Sequence, residues 1–214
     1  MQNSNGMKYS IIRSFERNFV QILAALLVCL QLWGCSVSND SKNSSKIDLK
    51  DSSNINIPNI TWLELNHDGV LRETLVYVPN SSEGTEAIPL LLNFHGYRGF
   101  AANHLLTSDF RQLAEDQTFL LAYPQGSLLD GSPHWNPSPP LATNKSTVDD
   151  FGFIESLIDN LSATYRIDEE RVYAVGYSNG AMLAFGLACY RGERFAAVGS
   201  VSGTMLTDIG NLCQ

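Results

Sequence analysis

The chain has 214 residues, 44% of them hydrophobic and 17% charged, which is enough apolar material for one sizeable core. Its formal net charge of −8, with no Lys/Arg cluster, excludes nucleic acid and anionic membrane as main partners, because an acidic surface is repelled by both. Four cysteines without a CxxC pair, and four histidines (His67, His95, His104, His134) outside any HExxH or HxH arrangement, give spacing no support for a metal or redox site, and no cofactor is expected.

In chain order, Lys8, Arg13 and Arg17 precede an apolar run from Phe19 to Trp33 that only Gln21 and Gln31 interrupt. The run is short for a membrane span and has the layout of a secretory signal. It ends Leu32-Trp33-Gly34-Cys35, which resembles a bacterial lipobox and makes Cys35 the expected lipidation site, although Trp33 is large for its position. An ordinary cleaved signal or a short anchor helix is the alternative. Residues 1–34 are therefore read as a lipoprotein signal peptide. Residues 35–57, rich in Ser, Asn, Asp and Lys, are read as a flexible tether with too little apolar surface to offset its ordering entropy.

The folded domain is expected over 58–214. ITWLEL (60–65) and ETLVYV (73–78) alternate apolar and polar, and Asp68-Gly69 between them is turn chemistry, so a hairpin is predicted. PLLLNF (89–94) reads as a buried parallel strand. Leu106, Phe110, Leu113 and Ala114 predict a helix, and FLLAYP (119–124) the next strand. A Gly/Pro/Ser/Asn-rich loop covers 125–147. Ser146 and Asp149 have capping-box spacing, ahead of a helical stripe of Phe151, Ile154, Leu157, Ile158, Leu161 and Tyr165. RVYAVG (171–176) predicts a strand, Gly180 to about Tyr190 a helix, and FAAVGSV (195–201) a last strand. Strand–helix alternation with apolar strands predicts a mostly parallel sheet covered by helices on both faces, with the hairpin antiparallel at one edge.

Gly176-Tyr177-Ser178-Asn179-Gly180 is a GxSxG between a buried strand and a small-residue helix, the context in which a sharp turn presents a serine nucleophile. Small residues two positions to either side let strand and helix approach. Ser178 is the expected nucleophile, and the backbone N–H groups of Asn179 and of Tyr97, in His95-Gly96-Tyr97 after the 89–94 strand, are the expected oxyanion donors. A plain strand-end turn is the alternative for His95-Gly96, and His95 itself is read as structural.

LLLNFHGYRG (90–99), AYPQG (122–126), HWN (134–136), VDDFGFI (148–154), RVYAVGYSNGAM (171–182) and FAAVGSVSGTM (195–205) together resemble the polyhydroxybutyrate depolymerase / feruloyl esterase family of extracellular α/β-hydrolases, from about residue 60 onward. The resemblance implies an α/β-hydrolase fold and hydrolysis of esters, from polyhydroxyalkanoate oligomers to acyl groups on plant polysaccharides. It sets Trp135 and Asn136 near the substrate, with a packing role as the alternative for Trp135. Asp149 and Asp150 match the family's paired acids, although first-turn acids suit a helix dipole in any case. The partner expected is an ester polymer or oligomer, and the location the cell envelope or exterior. With Cys35 lipidated and Cys29 removed with the signal, two thiols remain for an oxidising compartment. The resemblance points to the same Cys189–Cys213 disulfide, with two free thiols as the alternative.

A triad on this fold needs an acid and then a histidine after the serine. After Ser178 the chain has Glu193 and Asp208 but no histidine. The expectation is a truncated chain that lacks the last strands of its sheet. A non-catalytic polymer-binding lipoprotein, a base recruited from His67, His104 or His134, and a serine peptidase or acyltransferase of the same fold remain as alternatives.

Overall fold

The computed structural model describes residues 59–206, except 85 and 141–143, together with residue 213. The signal, the tether, Cys29, Cys35 and Asp208 lie outside the described residues.

β1 (Ile60–His67) and β2 (Val70–Tyr77) pair antiparallel from Ile60↔Tyr77 to His67↔Val70. Asp68 and Gly69 take φ of 51° and 78°, the two left-handed positions that a two-residue turn needs to match the twist of its strands. Asn66 Oδ1 accepts from the Gly69 N–H at 3.0 Å.

The remaining elements are β3 (Ile88–Phe94), α1 (Ala101–Thr107), α2 (Arg111–Gln117), β4 (Leu120–Pro124), β5 (Ser127–Leu129), β6 (Ser132–His134), α3 (Asp150–Thr164), β7 (Ile167–Tyr177), α4 (Asn179–Tyr190) and β8 (Ala197–Val201). Six strands form one sheet in the order β1-β2-β4-β3-β7-β8. β3 pairs parallel with β4 and β7, and β7 with β8, while β2 meets β4 antiparallel. Alternate residues of β3 feed two cores, as the two-residue repeat of a strand dictates. Leu90, Leu92 and Phe94 pack with Ile154, Leu157 and Ile158 of α3 and Leu183 and Leu187 of α4. Leu91 packs on the other face with Leu105, Ala114 and Leu121. This is the open, doubly covered sheet of an α/β-hydrolase. No helix among the described residues is long and apolar enough to cross a membrane.

Three local expectations are corrected. The single helix through Leu106 and Phe110 is two helices. The Ser108 carbonyl accepts from Tyr123 Oη–H at 2.6 Å and its hydroxyl from Asn93 Nδ2 at 3.1 Å, while Asp109 Oδ1 accepts from the Arg111 N–H at 3.0 Å to start the second helix. These partners outcompete continuation of the helical ladder. The 125–147 loop contains the β5–β6 hairpin, turned by Asp130 and Gly131 at φ 50° and 75°. The α3 cap is Asp149, whose Oδ1 accepts from the Gly152 N–H at 3.0 Å, because the Ser146 hydroxyl is engaged by His134 and Asn136.

Cys189, on α4, is disulfide-bonded to Cys213, with Cα atoms 4.7 Å apart.

Candidate active site

The strand β7 runs into Ser178, and α4 starts at the next residue. A Cβ on Gly176 would collide with the Gly180 carbonyl, and one on Gly180 would lie 2.5 Å from the carbonyl oxygens of Phe94 and His95. Both positions therefore require glycine, and the ends of β3, β7 and α4 converge there. Ser178 has φ 51° and ψ −113°, a conformation costing a non-glycine residue about 1–3 kcal/mol and tolerated only where surrounding contacts hold it. They do: the Ser178 N–H donates to Val201 O at 2.8 Å and its carbonyl accepts from the Met182 N–H at 3.0 Å.

The end of β3 lies against this turn. A Cβ on Gly96 would be 3.4 Å from Ser178 Cβ. Neither the Tyr97 N–H nor the Asn179 N–H donates to a described residue. For Asn179 the reason is local, since the first N–H groups of a helix have no acceptor within it. For Tyr97 it lies in the peptide before it. His95 Nε2 accepts from the Gly126 N–H at 2.9 Å, so the ring proton is on Nδ1, which donates to Gly96 O at 2.7 Å. The Gly96 carbonyl and the Tyr97 N–H belong to one planar peptide and point in opposite directions. Holding the carbonyl on the imidazole turns the N–H away from it. Burial lowers the His95 pKa to about 4, against the opposing Gly96 bond, so the ring is neutral near pH 7.

The segment after β6 ties these ends together. The Trp135 N–H donates to Asn179 Oδ1 at 2.7 Å, and Asn179 Nδ2 donates to Trp135 O at 2.9 Å. The indole N–H donates to His95 O at 3.0 Å. Trp135 and Asn136 are each only 1% exposed; both face inward, where they hold the ends of the strands around Ser178 together. The Asn136 N–H donates to Asp150 Oδ2 at 2.8 Å. The other oxygen of Asp150 accepts from Arg72 Nη2 at 2.7 Å. Burial pushes the Asp150 carboxyl up, against the pull of Arg72. The guanidinium also lies 3.9 Å from the Phe153 ring centroid, a cation–π contact strengthened by desolvation. Nothing in the local pattern pairs Arg72 with Asp150; both merely sit in elements that converge on the loop.

No histidine follows Ser178 in the sequence, and each of the four present is engaged elsewhere. His104 Nε2 meets Asn93 Oδ1 at 2.8 Å. His134 bridges Ser127 O and Ser146 Oγ, each at 3.0 Å. His67 Nδ1 faces Ser156 Oγ at 3.3 Å. None of His67, His104 and His134, the alternative sources of a base, meets the Ser178 hydroxyl, which has no hydrogen-bond partner among the described residues. A cavity of about 570 Å³ opens beside the end of β4, lined by Trp62, Leu71, Phe100 and Leu128 with Gln125 and Gly126.

The family model described as "Esterase PHB depolymerase" matches residues 73–211. The putative esterase NocK of Nocardia uniformis subsp. tsuyamanensis is 33% identical over 141 residues, 64% of this chain and 40% of that protein. Feruloyl esterase B of Piromyces equi is 25% identical over 145 residues, 67% of this chain and 26% of that protein. The chain thus spans well under half the length of these relatives. An acetyl xylan esterase structure from Aspergillus awamori superposes with a TM-score of 0.56 at 23% identity, covering 67% of this chain and 52% of that one; this likeness shows the fold.

Proposed function

The chain belongs to the esterase PHB depolymerase family, and on that premise we propose that it is a serine carboxylic-ester hydrolase with Ser178 as nucleophile. The observation that carries the reading is the strained Ser178 backbone, fixed between two obligatory glycines beside the unpaired N–H groups of Tyr97 and Asn179. Strain of this kind persists where function requires it.

In the proposed reaction, Ser178 Oγ adds to the ester carbonyl carbon as its proton passes to a base. The carbonyl oxygen becomes an oxyanion stabilised by the Tyr97 and Asn179 N–H groups. Collapse expels the alcohol, which takes the proton. Water then adds to the acyl-serine ester, and the acid leaves as Oγ regains a proton. None of the four histidines meets Oγ, so turnover by these 214 residues is expected to need base from solution. The competing reading is a non-catalytic polymer-binding protein.

The substrates proposed are feruloyl or acetyl esters of plant polysaccharides, or hydroxyalkanoate oligomers. The names of the curated relatives support this. Export and a lipid anchor on Cys35 belong to the same proposal, supported by the Cys189–Cys213 bond, which persists in oxidising compartments.

A fluorophosphonate probe with peptide mapping, beside a panel of p-nitrophenyl acetate, methyl ferulate and hydroxybutyrate trimer, tests the proposal. Labelling at Ser178 with hydrolysis of at least one ester is expected. A chain unlabelled at Ser178, with or without added imidazole, supports the binding-protein reading instead.

A further inference from the structure

Three ligand-type side chains converge between the β1–β2 turn and the first turn of α3. His67 closes β1, Asp68 opens the turn, and Asp149 caps the helix. His67 Nε2 lies 3.8 Å from Asp68 Oδ2 and 3.7 Å from Asp149 Oδ2. One ligand atom from each residue lies within 4.8 Å of the other two. These separations are too long for hydrogen bonds. His67 Nε2 is nevertheless buried, with no hydrogen-bond partner among the described residues, a costly state for a polar atom.

A shared cation resolves it. Ligand bonds of about 2.0–2.2 Å around a tetrahedral centre set neighbouring ligand atoms roughly 3.4 Å apart, within a few tenths of an ångström of the two separations between His67 and the carboxylates. The surrounding atoms are already disposed for one. Nδ1 of His67 faces Ser156 Oγ at 3.3 Å, the outer hydrogen bond that leaves Nε2 free to ligate. Asp149 uses Oδ1 for the Gly152 N–H and turns Oδ2 to the imidazole. Gly152 supplies the room: a Cβ there would collide with Asp149 Oδ2 and sit 2.9 Å from His67 Nε2. Glycine weakens a helix interior, and here the space it leaves is where the ligands meet.

We propose that His67, Asp68 and Asp149 bind one divalent transition-metal cation of the zinc type, with water completing the coordination. The imidazole selects this class over calcium or magnesium, which prefer all-oxygen sites. The bound ion clasps the hairpin turn to α3, two segments far apart in sequence.

The metal-stripped full chain is titrated with Zn²⁺ by calorimetry and with Co²⁺ by visible spectroscopy, and its melting temperature is read with and without Zn²⁺. One equivalent of Zn²⁺ is expected to bind and raise the melting temperature, and Co²⁺ to give the intense absorption of a tetrahedral site. Asp68→Asn, which keeps a turn-compatible residue, should weaken Zn²⁺ binding at least about tenfold and leave the metal-free melting temperature unchanged. His67→Gln should remove the melting shift. Absence of stoichiometric Zn²⁺ binding overturns the proposal. So does binding that survives both substitutions, which would place the metal elsewhere on the chain. Uptake of Ca²⁺ with Zn²⁺ ignored overturns the class of cation.

Discussion

The two sides of Ser178 differ in how completely they are built. On the oxyanion side every group has a reason for its position: His95 holds the Gly96 carbonyl, Trp135 joins His95 to Asn179, and Asp150 and Arg72 brace the loop from behind. On the proton side the hydroxyl meets no described side chain, and the four histidines are occupied elsewhere. In the proposed reaction the two sides do different work, stabilising the oxyanion and moving the proton, and only the first is carried by the described residues. The first rests on glycines and buried hydrogen bonds within a strand–helix corner; the second depends on a single base placed within reach of Oγ.

The sharpest way to break this contrast is chemical rescue. Hydrolysis of p-nitrophenyl acetate should rise with added imidazole above the rate of imidazole alone, and Ser178→Ala should return it to that background with little change in melting temperature. A wild-type rate indifferent to imidazole would mean that the proton side is not open. Next in size is the brace. Asp150→Asn leaves the Arg72 charge buried without its counter-ion and should destabilise the fold by about 3–5 kcal/mol in urea unfolding. A loss below about 1 kcal/mol would show that the Phe153 ring alone suffices for Arg72.

Asn179→Ala should come third. It strands the buried Trp135 N–H and carbonyl and frees the start of α4, for about 2 kcal/mol, or roughly thirtyfold, in the rate of serine labelling. An equal loss in a control variant at the exposed Leu106 would deny the oxyanion side its special status. The last test concerns pH dependence. Burial lowers His95 and His104 to about 4, whereas in the unfolded chain they titrate near 6.5. Between those values the unfolded state binds more protons, so stability falls as pH drops from about 6.5 to about 4 and levels off below. Each contributes up to about 1.4 kcal/mol per pH unit. Urea midpoints across this window should follow that slope, and His104→Gln should halve it.

Much of this architecture is legible in single segments. The apolar run of β3, the Asp68-Gly69 turn and the GxSxG with its flanks each carry their own signal, because burial, turn conformation and glycine-only packing are local requirements. What escapes the sequence is set at long range. Ser108 ends a helix only because Tyr123 and Asn93, on two different strands, take its oxygens. Trp135 lies in a polar loop that suggests a surface, yet its indole N–H finds a buried carbonyl. Asp150 reads as a helix-dipole acid, and Arg72 carries no signal of its own, until the fold brings them together. The β5–β6 hairpin is a different case: Asp130-Gly131 is its signal, masked by the prolines around it.

The sheet order also fixes a sequence of events in time. The β1–β2 pairing closes over two residues, whereas β3 and β7 meet at Ile88↔Ile167, roughly 80 residues apart along the chain. A two-residue hairpin closes in about 1–10 μs, and the distant parallel pairing must wait for loop closure and for the helices that cover it. The turn at Ser178 hangs on that late strand, so a refolding chain should gain hairpin structure well before it can be labelled at its serine. Stopped-flow spectroscopy run beside quenched labelling would resolve the two phases.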